Sequence, residues 1–186
     1  ILGAMWFGMA MLITTLHFYQ VTILTSQGIT SDFAAGVFSI SAISMVLFMP
    51  FVGKLFDNCP TRYVLALGLM INSISLLSIT FVNNEFYAVL YAIIFGVNNA
   101  ISMTMFGYIW PRYFGRKYIG SIQGTGQMIG VVGASLGPLP VGFAIDYIGN
   151  SLMTIRYLSL CPIIIAIITI LFLKTPSSLS INKKLE

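Results

Sequence analysis

The chain has 186 residues, of which 58% are hydrophobic and only 8% charged, and its formal net charge is +4. Soluble domains carry roughly 45–50% apolar and about 25% charged residues, so this composition excludes a water-coated globular fold and points to lipid as the solvent. Basic residues scattered singly or in pairs exclude a nucleic-acid surface, and Cys59 and Cys161 offer neither a disulfide framework nor metal-ligand spacing, so no cofactor or metal is expected.

Punctuation by Gly, Pro, Asn and charge divides the chain into six apolar segments, each long enough to cross about 30 Å of hydrocarbon. The first runs near 1–22 and opens on Ile1-Leu2-Gly3-Ala4 without an initiator Met or a basic leader, which reads as a fragment beginning partway through a longer protein. It carries His17, the only histidine, with Thr14 and Gln20 one turn either side on the same helical face. A histidine titrating near neutral pH could couple proton movement to solute movement; hydrogen bonding to Gln20 or Thr14 is the structural alternative. The second segment, near 32–53, leads into a loop with Asp57 and Arg62, and the third, near 62–82, holds Asn72 at depth.

The fourth segment, near 86–110, places Asn98 and Asn99 13 and 14 residues after Glu85. At 1.5 Å per residue that is about 20 Å into the layer, where a carboxamide needs a ligand, a neighbouring helix or water. The fifth, near 118–147, has Gln123 and Gln127 one turn apart and a stripe of Gly126, Gly130, Gly133 and Gly137 suited to close helix packing. Pro138 and Pro140 predict a kink or break there. The sixth runs near 152–173, so residues 1–174 form a six-helix bundle and 175–186 a short basic tail. Trp6, Tyr108, Trp110, Tyr113 and Tyr147, near segment ends, read as an aromatic belt at the headgroups.

Sorting the loops by side puts Lys54, Arg62, Arg112, Arg116, Lys117, Lys174, Lys183 and Lys184 on one face and Arg156 alone on the other. This positive-inside asymmetry predicts a multi-pass protein of a plasma or bacterial inner membrane with both ends of the chain cytoplasmic. Gly53 to Asp57 and Gly142 to Asp146 repeat one spacing 89 residues apart on opposite faces, as an inverted repeat of three plus three helices would.

The stretch Gly53-Lys54-Leu55-Phe56-Asp57-Asn58-Cys59-Pro60-Thr61-Arg62 resembles the loop signature of the major facilitator superfamily, matching at Gly53, Lys54, Leu55, Asp57 and Arg62 and departing at Asn58, Pro60 and Thr61. The later run Tyr113 to Gly124, with Gly137-Pro138-Leu139-Pro140 and Asp146, loosely resembles helix eleven of bacterial monocarboxylate and oxalate porters. The resemblance implies an all-α membrane fold, the chain forming helices seven to twelve of a twelve-helix secondary transporter. It implies alternating access, a small-molecule solute, a possible coupling proton or sodium ion, and an N-terminal six-helix half as partner. Gly53 would then allow close helix approach while Asp57 and Arg62 gate the mouth; otherwise Asp57 is an N-cap. Asn98, Asn99, Gln127, Gln123, His17 and Gln20 would line the solute path. The porters' cationic side chain in helix eight or eleven has no counterpart in the segments near 32–53 and 118–147.

Two other classes follow from the residues. Gly133-Ala134-Ser135-Leu136-Gly137 fits a G-x-S-x-G elbow, but inside an apolar helix and without the strand such an elbow needs, so a serine hydrolase is disfavoured. A degenerate or truncated membrane protein acting as a partner or sensor is the second alternative to transport.

Overall fold

The computed structural model describes residues 1–148 and 151–173, and every regular element among them is a helix. Gly149-Asn150, Lys174 and the basic tail with Lys183 and Lys184 lie outside the described residues. The first four segments are single helices: α1 (Leu2–Ser26), α2 (Ser31–Asn58), α3 (Thr61–Ile79) and α4 (Glu85–Phe114). The fifth is divided into α5 (Ile119–Leu136) and α6 (Pro138–Ile148), and the sixth into α7 (Ser151–Leu158) and α8 (Leu160–Phe172). Six spans are long and apolar enough to cross a bilayer. Large apolar side chains such as Ile43, Leu47, Phe51, Leu171 and Phe172 are exposed on their outer surfaces.

Several helices overrun the ends that the sequence predicts, because polar side chains at those ends bond back to their own helix. The Asn58 amide donates to the Lys54 carbonyl at 2.9 Å and the Thr25 hydroxyl to the Val21 carbonyl at 2.9 Å, keeping the last turns wound into the interface. One consequence is a correction: Asp57 lies in the last turn of α2 and is not an N-cap, that position of α3 being held by Pro60. True N-caps occur at Thr30, which accepts from the Phe33 N–H, and at Asn84, which accepts from the Tyr87 N–H at 3.0 Å.

The predicted break at Pro138 is present. Pro138 and Pro140 lack N–H groups, so the carbonyls of Ala134 and Leu136 lose their usual donors. The Gly137 N–H turns to Ala134 at 3.2 Å, and Gly137 itself stays near helical values (φ −54, ψ −50), so the regular hydrogen bonding is interrupted while the backbone stays helical. The break at Ser159 was not expected. Pro162 leaves the Leu158 carbonyl without its helical donor, while the Ser73 hydroxyl of α3 donates to the Ser159 carbonyl at 2.7 Å and supports this buried turn from the neighbouring helix.

Within the bundle, α1 packs along α5, α2 along α4, and α3 against α4 and α8. Laying the first three spans on the last three exchanges the α1–α5 and α2–α4 pairs, which is the symmetry expected of an inverted repeat. The Gly–Asp echo does not extend to contacts: a Cβ at Gly142 would meet the Tyr19 hydroxyl at 2.9 Å, whereas one at Gly53 would meet nothing within 4 Å.

The α1–α5 seam is built on the glycine stripe. A Cβ on Gly126 would strike the Trp110 indole, one on Gly130 the Trp6 indole, one on Gly133 the Phe7 backbone and one on Gly137 the Met11 carbonyl. Trp6 and Trp110 are therefore buried, 9% and 6% exposed, and do not belong to a headgroup belt. Each indole fills the space that a missing side chain leaves. Tyr147, at 81% exposure, keeps the peripheral position expected of it.

Candidate functional site

Three spans converge at His17. From α1 its ring lies 4.6 Å from that of Phe95 on α4 and 6.2 Å, stacked, from that of Phe38 on α2. Its Nδ1 sits 3.0 Å from the Ile13 carbonyl, which can only accept, so Nδ1 carries the proton and Nε2 is left free on an exposed side chain. One turn on, Gln20 meets the same helix, α4, but is fully buried: it accepts from the Tyr91 hydroxyl at 2.9 Å, the Tyr91 ring being stacked on that of Phe95, while its amide nitrogen has no partner. Both α1 residues thus face α4, His17 where the packing is open and Gln20 in the α1–α4 interior.

Asn98 is also wholly buried. The Asn72 amide of α3 donates to its side-chain oxygen at 3.4 Å, leaving the Asn98 nitrogen and the Asn72 oxygen unpaired. Neighbouring Asn99 keeps 9% exposure. On α5, Gln127 is exposed and Gln123 half-buried.

Depth separates these residues. Gly3 lies beside Ile129, Trp6 beside Gly130 and Phe7 beside Gly133, so Gln127 is level with the first turn of α1. His17 is 14 residues further along α1, about 21 Å. Gly126 abuts Trp110, and Asn98 is 12 residues back along α4 from there, about 18 Å. The residues expected to line one path form a series of levels, and only His17 and Gln127 among them are exposed.

At the basic end, Arg62 donates to the Tyr63 hydroxyl at 2.8 Å and covers its ring at 4.6 Å, while Asp57 is exposed. The bonds that join helices here involve residues to which the sequence reading gave no such role. The Tyr108 hydroxyl at 2.5 Å and the Arg112 guanidinium at 3.2 Å, both from α4, donate to the Phe56 carbonyl near the end of α2, and Arg112 also covers the Tyr108 ring at 4.7 Å. Their spacing of four on one helix, above an uncapped helix end, was the available signal. An apolar cavity of about 550 Å³ opens at the same end, between Leu2, Trp110, Phe114, Ile122 and Ile129.

At the other end, Arg156 donates to the Thr80 hydroxyl at 3.3 Å and lies over Phe81. Arg62 and Thr80 bracket α3, about 27 Å apart along its axis, so the described cations sit at two levels with Arg156 alone at its own.

Ser135 and His17 are each bonded within their own helix, Ser135 donating to the Val132 carbonyl at 2.9 Å and His17 facing Ile13. Among the described residues no group of three or more His, Cys, Asp or Glu could hold a metal ion.

A family model described as Major Facilitator Superfamily matches residues 1–186. No curated protein matches the chain.

Proposed function

The chain belongs to the Major Facilitator Superfamily, whose members carry small solutes across membranes, and from that premise we infer that it supplies the C-terminal six-helix bundle of a twelve-helix secondary transporter. The bundle would rock against an N-terminal partner bundle around a site near mid-membrane, opening to each side in turn. With Lys54, Arg62, Arg112, Arg116 and Lys117 facing the cytoplasm, α1, α3 and α5 run outward.

The observation that carries this reading is His17. A polar ring held between two phenyl rings, at a junction of three spans and with Nε2 unoccupied, is costly at membrane depth unless it meets solute, ion or water. His17 is the solute-path residue, able to accept a hydrogen bond or take up a coupling proton at Nε2. Gln127 and Gln123 line the path nearer the cytoplasm. Asn98, Asn99 and Gln20 stand behind it, Asn98 and Gln20 holding α3 and Tyr91 in register. Asp57 and Arg62 act at the mouth, with partners in the N-terminal bundle. A carboxylate solute, as carried by the loosely similar monocarboxylate and oxalate porters, would draw its counter-charge from that bundle, because α2 and α5 hold no Lys or Arg within the apolar layer.

Cysteine accessibility in the full-length protein tests the assignment. His17→Cys and Gln127→Cys are expected to react with a small water-borne thiosulfonate in membranes, and Phe172→Cys, on a lipid-facing surface, is not. Equal protection of all three would remove His17 and Gln127 from an aqueous path.

A further inference from the structure

The corner where α2 ends, α3 begins and α4 ends contains three buried polar atoms without a protein partner: the Thr61 hydroxyl, the Arg62 Nε and the Tyr113 hydroxyl. Thr61 is fully buried. Each of the three can donate a hydrogen bond, and Nε can do nothing else. The N–H groups of Thr61 and Arg62, in the first turn of α3, have no intrahelical acceptor, Pro60 offers no side-chain cap, and the helix dipole adds positive potential. Arg112, held on the Phe56 carbonyl, brings a second guanidinium, and the fields of Arg112 and Arg62 both reach the Tyr113 hydroxyl. The one carboxylate at this corner, Asp57, is turned out to solvent.

We propose that this corner binds a phosphate oxyanion, with Thr61, Arg62 and Tyr113 as its donors. The set matches a phosphate: several oxygens to accept, a negative charge opposite two guanidiniums, and a forked donor that suits an O–P–O edge. A phospholipid headgroup and a soluble phosphate share that chemistry.

Native mass spectrometry of the detergent-purified full-length protein, read independently of transport, tests the site. With phosphatidylglycerol as probe, Tyr113→Phe and Arg62→Gln are expected to reduce lipid retention at least tenfold. Lys117→Gln, a cation of the same end outside the corner, should change it less than twofold. Tyr113→Phe removes a single oxygen and decides the matter should Arg62→Gln fail to fold. Displacement of the lipid by millimolar inorganic phosphate would identify a soluble oxyanion as a ligand; retention in its presence would identify the headgroup. Retention of phosphatidylglycerol unchanged in both Tyr113→Phe and Arg62→Gln would overturn the proposal.

Discussion

The Thr15 hydroxyl of α1 lies 2.6 Å from the carbonyl of Gly137, the residue between α5 and α6. It also lies 2.9 Å from its own helix's Met11 carbonyl, so one proton is shared between two acceptors. This contact exists because Gly137 lacks a side chain: a Cβ there would meet the Met11 carbonyl and the Thr15 hydroxyl. It fixes the break to the helix that carries His17. Interhelical hydrogen bonds in bilayers contribute about 0.6 kcal/mol on average and up to about 1.7. Thr15→Val, nearly the same in shape, should therefore cost about 1 kcal/mol in a denaturation titration of the full-length protein in mixed micelles. A loss above about 3 kcal/mol would mean that the hydroxyl supports more than this bond.

How the break was legible, and the seam beside it only partly so, comes down to which rule is local. Pro138 and Pro140 act on their own chain, so a break could be placed from the sequence alone. The spans could be counted for the same reason, since each need only be apolar and long. Trp6 and Trp110 were misplaced to the membrane surface because their positions near segment ends suit that role equally well; only the glycines across the seam, a non-local fact, make room for them inside. The surroundings of the site residues depend on distant chain in the same way. Spacing places His17 and Gln20 on one face of α1, as found, but that His17 stays exposed and Gln20 is buried depends on how Phe95 and Tyr91 pack, 71 or more residues along the chain.

The glycine stripe yields a contrast inside one helix. At Gly133 an added methyl would meet the Phe7 carbonyl at 2.5 Å, and a backbone atom cannot rotate away. Gly124, also in α5, has nothing within 4 Å of its missing Cβ. Gly133→Ala should destabilise by roughly 1–3 kcal/mol through overpacking. Gly124→Ala should be neutral or stabilising by up to about 1 kcal/mol through helix propensity. Comparing their unfolding midpoints under one condition checks both, and equal effects would mean that α1 and α5 do not pack through this face.

The clamp on the Phe56 carbonyl predicts non-additivity. Tyr108 and Arg112 donate to one acceptor and stack on each other, so removing either leaves the other to satisfy it. Tyr108→Phe and Arg112→Gln should each cost about 1 kcal/mol, and the double variant should depart from their sum by at least about 0.5 kcal/mol, as residues in one network do. A double-mutant cycle on thermodynamic stability measures this directly. Strict additivity would separate the two contacts.

The Asn72–Asn98 pair offers the sharpest sign test of a buried polar contact. Both carboxamides are wholly buried, and each already has one unpaired atom. Replacing one alone with leucine leaves the other amide facing hydrocarbon with no partner, at a cost of about 1–3 kcal/mol. Replacing both removes every unmatched polar atom of the pair, and two apolar side chains of similar size fill the α3–α4 seam. Asn72→Leu and Asn98→Leu should thus each be clearly destabilising, while the double variant should be closer to the parent than either single one. The midpoint of thermal unfolding in a single detergent is sufficient to rank the four proteins. Were the double variant worse than both singles, the pair would have to be satisfied by something beyond each other, and Asn98 would return to the solute path as a residue that reaches water or ligand.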